Sequence, residues 1–407
     1  MSLRGRAVHT MLTRFSPGAR LQSRLLPTSP SDLVFIGDGL SLHGEWEEWF
    51  PASSVRTLGD ELLLIDDARE FVASIDSPRA LVILVGTADL LGMGGSASPR
   101  RAAERLDALV ALATSRVEPA SVVIVGVPLR PALGERASDF NTRAATLVAQ
   151  RGAVFIPAPP FAGDDADGYM VSPLRWDAAV YSHLAQAIAS ATGLPGATGR
   201  PVPALSDVGK GFVEKMEFKR AQLFKALPAP TGKVVLFGDS ITEGGFWSGW
   251  LPGMPTANRG IGGDTVAQLT ARVDSAIDSP RAVSVLAGTN DLVRSDSKDA
   301  DSIGSRFREL IAQIRQRDAD VPLLINSVMP RGAKYIDTIT TINGHYREIA
   351  RDFDAEYLDL WPALATPSHT LRKEFTPDGL HLNGEGYRAW AAVLRPALEG
   401  MLASPRA

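Results

Sequence analysis

The chain has 407 residues, 45% of them apolar, with a formal net charge of −4 and a pI near 5.9. At about 150 residues per domain this length predicts two or three domains, and the acidic balance argues against surfaces that grip nucleic acid or anionic membrane, which need clustered Lys and Arg. There is no cysteine, which excludes disulfides, thiolate metal ligands and cysteine nucleophiles together.

From the N-terminus, Met1 to Leu26 carries five arginines and no acidic residue, but it lacks the apolar core of a secretory signal. No run approaches the ~18 apolar residues of a membrane span, and a cytoplasmic protein is predicted. Next come Phe35-Ile-Gly-Asp-Gly-Leu-Ser41, then Trp46, Trp49 and Pro51, then Ile75-Asp-Ser-Pro-Arg-Ala-Leu-Val-Ile-Leu-Val-Gly-Thr-Ala-Asp-Leu90. Each recurs later. The counterparts are Leu236-Phe-Gly-Asp-Ser-Ile-Thr242, then Trp247, Trp250 and Pro252, then Ile277-Asp-Ser-Pro-Arg-Ala-Val-Ser-Val-Leu-Ala-Gly-Thr-Asn-Asp-Leu292, where eleven of sixteen positions are identical. Such self-similarity predicts a tandem duplication of a unit of roughly 200 residues. Gly193, Pro195, Gly196, Gly199, Pro201 and Pro203 interrupt any regular element between the copies, so domains of 1–203 and 204–407 are predicted. Leu26-Pro27 matches Leu227-Pro228. Each copy is therefore expected to begin with a helix, and the basic first segment reads as that helix rather than as a targeting signal.

In the second copy, apolar runs of strand length fall at Val234–Phe237, near Ala257–Arg259, and at Ala282–Ala287, Leu323–Val328 and Glu356–Leu360. Helical periodicity fills Ile303–Gln316, Ile339–Phe353 and a last stretch from Gly384 to Leu402. This alternation predicts an α/β fold, a parallel sheet with helices on both faces and right-handed crossovers. In such sheets functional groups gather at the carboxyl ends of the strands, where strand order reverses.

Those ends carry Ser240 after the first strand, Gly260-Ile-Gly-Gly263-Asp264-Thr265 after the second, Gly288-Thr-Asn290-Asp291 after the third, and Thr376-Pro-Asp378-Gly-Leu-His381 after the last. Acyl transfer needs a nucleophile, a base, a group that orients the base, and donors aimed at the developing oxyanion. Ser240 would be the nucleophile, His381 the base and Asp378 its orienting carboxylate. The N–H groups of Ser240 and Gly263 and the Asn290 amide would form the oxyanion hole. Asp239, Asp264 and Asp291 are expected to support the turns that hold these groups. A dinucleotide site would require glycine at 265, where threonine stands. His345 and His369 have no metal-ligand spacing to a partner. Trp247 and Trp250 are matched by Trp46 and Trp49, which favours packing over a pocket-lining role; Arg331, Tyr335 and Trp361 fall in loops or near strand ends and could meet the leaving group, but the sequence does not fix their direction.

At these residues the second copy closely resembles the SGNH, or GDSL-type, hydrolases, a family named for a serine, glycine, asparagine and histidine in four blocks. The blocks match as Gly238-Asp239-Ser240, Gly262-Gly263-Asp264, Gly288-Thr289-Asn290-Asp291 and Asp378-Gly379-Leu380-His381. The resemblance spans about residues 233–400. It implies two tandem flavodoxin-like three-layer α/β/α domains with five-stranded parallel sheets, no metal or other cofactor, and Gly263 as an oxyanion donor. It further implies a serine esterase acting on a small ester, an acylated sugar or a short-chain lipid, through an acyl-serine intermediate. The wording Gly-Asp-Ser-Ile-Thr-Glu, with Arg-Gly-Ile-Gly-Gly-Asp-Thr, looks most like the small bacterial esterases and the acetylhydrolase-like subgroup, a resemblance that implies a short acyl group, acetyl before others. The alternatives are an acyltransferase and a carbohydrate- or lipid-binding protein.

The first copy keeps the scaffold without the chemistry. Gly39 stands for Ser240, Ala88 for Asn290 and Met170 for His381, and the double glycine is reduced near Gly59-Asp60, where the alignment is ambiguous. Ser41, His43 and His183 stand away from the catalytic positions. This copy is expected to be inactive, either pairing structurally with the second domain or holding a ligand in a cleft lined by Trp46, Trp49 and Tyr169. Filling of that cleft by Met170, Leu174 and Trp176 would favour the structural role.

Overall fold

The computed structural model describes residues 19–26, 31–129, 133–158, 177–200 and 212–403, with backbone only over 212–216. Tyr169, Met170, Leu174 and Trp176 lie outside the described residues. The chain forms two compact units, Met1–Pro228 and Ala229–Ala407. The sequence reading draws its line at 203, whereas the helix Phe212–Ala226 belongs to the first unit. Buried Arg220 on that helix pairs with Glu45 at 2.7 Å, and Lys219 with Asp177 at 3.4 Å.

In the first unit β1 (Leu33–Gly37), β2 (Val55–Gly59), β3 (Ala80–Leu84), β4 (Val122–Val125) and β5 (Val154–Ile156) form one sheet in the order β2-β1-β3-β4-β5. In the second, β6 (Val234–Gly238), β7 (Thr256–Gly260), β8 (Ala282–Leu286), β9 (Leu323–Asn326) and β10 (Glu356–Leu358) form another in the same order, β7-β6-β8-β9-β10. All pairs are parallel. This is the flavodoxin-like arrangement, in which the chain leaves the first strand toward one edge and returns to its other side. The inner strands β6, β8 and β9 are largely apolar and buried because helices cover both faces, whereas β7 and β10 at the edges carry polar residues. Val235, Phe237, Val283, Val285 and Ile325 pack on one face with Ile303, Phe307 and Ile314 of the helix Ala300–Arg317 and Ile339, Ile342 and Tyr346 of the helix Ile336–Asp352.

The opposite face, in register through Leu236, Ser284 and Leu324, meets the last helix, Gly384–Ala403. There the fully buried Asn326 amide donates to Ser284 Oγ at 2.8 Å and to the Val285 carbonyl at 3.0 Å, and its oxygen accepts from Trp390 Nε1 at 3.4 Å. A buried amide satisfied on both ends fixes one register for helix and sheet, since any slip leaves a polar group without a partner. Trp247 packs edge-on against Trp390, 4.7 Å between centroids, and its Nε1 donates to the Thr242 carbonyl at 2.8 Å. Among the described residues no helix is long and apolar enough to cross a membrane.

Gly238 sets how closely the chain can turn after β6. A Cβ there would lie 2.2 Å from Thr242 Oγ1 and 2.5 Å from the Leu286 carbonyl. Gly238→Ala is expected to destabilise the second unit by about 1–3 kcal/mol through overpacking. Urea unfolding of the variant beside the parent checks this; an unchanged midpoint would contradict it.

Candidate active site

Asp239 caps the short helix Ser240–Glu243, accepting the Ile241 N–H at 2.9 Å. Ser240 is the first residue of that helix, so its hydroxyl stands at the carboxyl end of β6, between the ends of β7 and β8. Ser240 Oγ lies 3.0 Å from His381 Nε2, and His381 Nδ1 lies 2.7 Å from Asp378 Oδ2. The other Asp378 oxygen accepts the N–H groups of Leu380 at 3.0 Å and His381 at 2.8 Å, and the Thr376 hydroxyl at 3.3 Å. Burial alone would push the Asp378 carboxyl up. The hydrogen bond and charge of His381, with the two backbone donors, outweigh that and hold it well below the usual carboxylate range. An ionised carboxylate at Nδ1 keeps the ring proton on that nitrogen, which leaves the Nε2 lone pair facing Ser240.

The loop after β7 approaches from the other side. Gly263 has φ +89°, a left-handed conformation that favours glycine, and its carbonyl accepts from Arg294 Nη1 at 2.5 Å. A Cβ on Gly262 would stand 3.6 Å from Ser240 Cβ, so this loop faces the serine directly. Asn290 Nδ2 donates one hydrogen to the Asp264 carbonyl at 3.0 Å, which leaves its second hydrogen for another acceptor. Asp264 Oδ2 meets Arg272 Nε at 2.6 Å, and the same guanidinium donates to the carbonyls of Arg259 at 2.8 Å and Gly238 at 2.9 Å, tying the ends of β6 and β7 together. Asp291, fully buried, accepts the Val266 N–H at 2.9 Å and faces Arg306 at 3.3 Å.

Several of these contacts were not foreseen from sequence. Glu243 stands three residues after Ser240, one helical turn on, and its Oε2 accepts the Gly262 N–H at 2.6 Å, so the serine helix also holds the glycine loop. The i, i+3 spacing in Ser240-Ile-Thr-Glu243 was the available signal. Arg272, Arg294 and Arg306 carried none, because their acceptors are backbone carbonyls or carboxylates from other loops. Tyr387 OH, far along the chain, donates to the Ile241 carbonyl at 2.7 Å. Trp247 and Trp250 are buried in packing contacts. His345 meets Asp301 at 2.9 Å, and no cluster of metal-ligating side chains occurs among the described residues.

The first unit repeats the supports and carries other residues at the places of Ser240, Gly263 and Asn290. Asp38 accepts the Leu40 N–H at 3.1 Å, as Asp239 does that of Ile241, and Gly39 occupies the place of Ser240. Gly59 pairs with Gly37 as Gly260 pairs with Gly238, and Asp89 accepts the Ile65 N–H at 3.0 Å as Asp291 accepts that of Val266. These anchors remove the ambiguity left near Gly59-Asp60. Without a gap, Glu61 stands for Gly262, Leu62 for Gly263 and Leu63 for Asp264. His43 Nε2 lies 3.1 Å from the Glu61 carboxylate, Ser41 is fully buried, and His183 is exposed on the helix Ala178–Thr192.

Asp239 is fully buried and its Oδ2 has no hydrogen-bond partner among the described residues. Burial pushes its carboxyl up to about 7, against the opposing Ile241 N–H and His381. In the unfolded chain it ionises near 4. Between those values the folded state holds the extra proton, so stability is lost as pH rises from about 4 through 7, by on the order of 3–4 kcal/mol at most. Asp239→Asn is expected to flatten that decline. Urea midpoints from pH 4.5 to 8 for parent and variant test it, and parallel curves would contradict it.

Residues 236–389 match the model of the GDSL-like lipase/acylhydrolase family. Similar solved structures include a GDSL-like lipase from Bacteroides thetaiotaomicron (24% identity, 45% of this chain and 97% of that one, TM-score 0.38). Others are a carbohydrate acetylesterase family member from Sinorhizobium meliloti (18%, 43% and 100%, 0.35) and an acetyl xylan esterase (23%, 41% and 99%, 0.34). No curated protein matches the chain. The second unit, whose serine block closes β6 and whose histidine block follows β10, thus belongs to the SGNH or GDSL-like lipase/acylhydrolase family.

Proposed function

We propose that the second unit is a serine esterase that removes a short acyl group, acetyl before others, from a small ester. The observation that carries this reading is the continuous chain Ser240 Oγ, His381 Nε2, His381 Nδ1, Asp378 Oδ2, with links of 3.0 and 2.7 Å. His381 takes the Ser240 proton as Oγ attacks the ester carbonyl, and Asp378 stabilises the imidazolium that forms. The N–H groups of Ser240 and Gly263 and the free Asn290 hydrogen receive the negative oxygen of the tetrahedral intermediate. Its collapse breaks the ester C–O bond, and His381 returns the proton to the departing alcohol. Water then attacks the acyl-serine with His381 again as base, releasing the acid and restoring the hydroxyl. The preference for a short acyl group rests on the wording of the serine block.

The first unit is proposed as an inactive relative of the second, derived by duplication. Glycine, leucine and alanine occupy the places of Ser240, Gly263 and Asn290, which supports a structural or ligand-holding role.

Hydrolysis of p-nitrophenyl acetate by the full chain, with Ser240→Ala and His381→Ala beside it, tests the assignment. Each variant should lose at least about 10²–10⁴-fold in kcat with its unfolding midpoint nearly unchanged. Turnover that survives Ser240→Ala would contradict the proposal.

A further inference from the structure

Arg331 follows the carboxyl end of β9, two strands from β6. Its guanidinium does not stay over its own strand. Nη1 reaches the carbonyl of Thr289, at 3.3 Å, beyond the end of β8 and one residue before Asn290. The group stacks on Tyr335, 4.3 Å from the ring centroid, and the Arg331 carbonyl accepts the Leu371 N–H at 3.2 Å, on the loop that leads to Asp378 and His381. With neighbouring strands about 4.8 Å apart, a guanidinium over β8 stands roughly one strand spacing from the column of Ser240.

These partners do not account for the side chain. A guanidinium has five N–H donors, and among the described residues a single neutral carbonyl at a long distance accepts one of them, while Nε is buried with no acceptor. Other arginines at this rim are differently placed: Arg272 is held by a carboxylate and two carbonyls, and Arg306 by Asp291 and the Ser297 carbonyl. Lys334, 4.7 Å from the Tyr335 ring, adds a second positive charge, and among the described residues neither it nor Arg331 forms an ion pair. Leaving a buried charged donor without an acceptor is costly and uncommon, and the stack on Tyr335 holds the planar fork in place.

We propose that Arg331 forms an anion subsite of the Ser240 cleft and receives a carboxylate or phosphate carried by the ester. The planar fork matches the two oxygens of such a group, and an anion bound there would set how the scissile carbonyl lies against Ser240. This rests on the esterase reading above and narrows its substrate class to acidic esters.

Two pairs of esters test it with the full chain, Arg331→Gln and Arg331→Lys. 4-Acetoxybenzoate carries its carboxylate on the leaving alcohol, 4-nitrophenyl hydrogen succinate carries it on the acyl group, and each is compared with its neutral methyl ester. The parent should favour at least one acid over its methyl ester by about tenfold in kcat/KM. Added salt should weaken the preference, Arg331→Gln should remove it and Arg331→Lys should keep part of it. Equal kcat/KM within both pairs, or a preference that survives in folded Arg331→Gln, overturns the subsite while hydrolysis of the neutral esters leaves the esterase reading standing. If no ester turns over, calorimetry with inorganic phosphate decides. Binding to the parent that is lost in Arg331→Gln upholds the subsite, and no binding to the parent overturns it. If Arg331→Gln does not fold, Arg331→Lys, which lacks the Nε donor and the fork, decides: a reduced preference upholds the subsite and an undiminished one overturns it.

Discussion

The carboxylate of Asp291 is the constraint on which the rest of the site depends. It is fully buried beyond the end of β8 and accepts the Val266 N–H across the gap to the loop that follows β7. Removing a partner from a buried, hydrogen-bonded charge costs about 3–5 kcal/mol, so this link fixes the spacing of two loops with few alternatives. One of those loops carries Gly263 and the other Asn290. Arg306 faces the same carboxylate from the helix Ala300–Arg317, which connects the spacing to the core beneath. Arg272 acts similarly on the neighbouring gap, with three acceptors drawn from β6, β7 and Asp264.

The two units share the hydrogen bonds that hold the site and differ in the residues placed above them. Asp38 and Asp89 make the same backbone hydrogen bonds as Asp239 and Asp291, and Tyr181 donates to the Leu40 carbonyl as Tyr387 does to that of Ile241. The supports therefore persist where Ser240 is replaced by Gly39 and Asn290 by Ala88. Such buried hydrogen bonds stabilise the fold whatever chemistry stands above them. The exchange at the glycine loop is informative. In the second unit a helix carboxylate, Glu243, reaches the loop at Gly262, whereas in the first a loop carboxylate, Glu61, reaches His43, which caps the corresponding helix. Both contacts join the same two segments.

Much of this was legible in the sequence because it is local or periodic. The runs that became β6 to β10 are bounded by turn residues, and the serine, glycine and asparagine blocks begin at the ends of β6, β7 and β8. The Asp378 to His381 contact is an i, i+3 turn, which spacing alone suggests. What stayed hidden depends on atoms meeting across the fold. Arg272 reaches acceptors from 8 to 34 positions away, two of them backbone carbonyls that no residue type advertises. The place of the helix Phe212–Ala226 was hidden for a related reason: its position before β6 reads as the opening helix of the second copy until Arg220 is seen buried against Glu45. The register near Gly59 could not be aligned by residue identity, since Glu61-Leu62-Leu63 shares nothing with Gly262-Gly263-Asp264. It became clear once the flanking backbone contacts were matched.

Covalent trapping tests the central claim most directly. The full chain would be treated with a fluorophosphonate and digested, and the adduct located by mass spectrometry. The account predicts one modified residue, Ser240, labelled at a rate that falls sharply in His381→Ala, with no adduct on Ser41 in the first unit. An adduct at another residue, or none in a preparation that is hydrolysing esters, would contradict it.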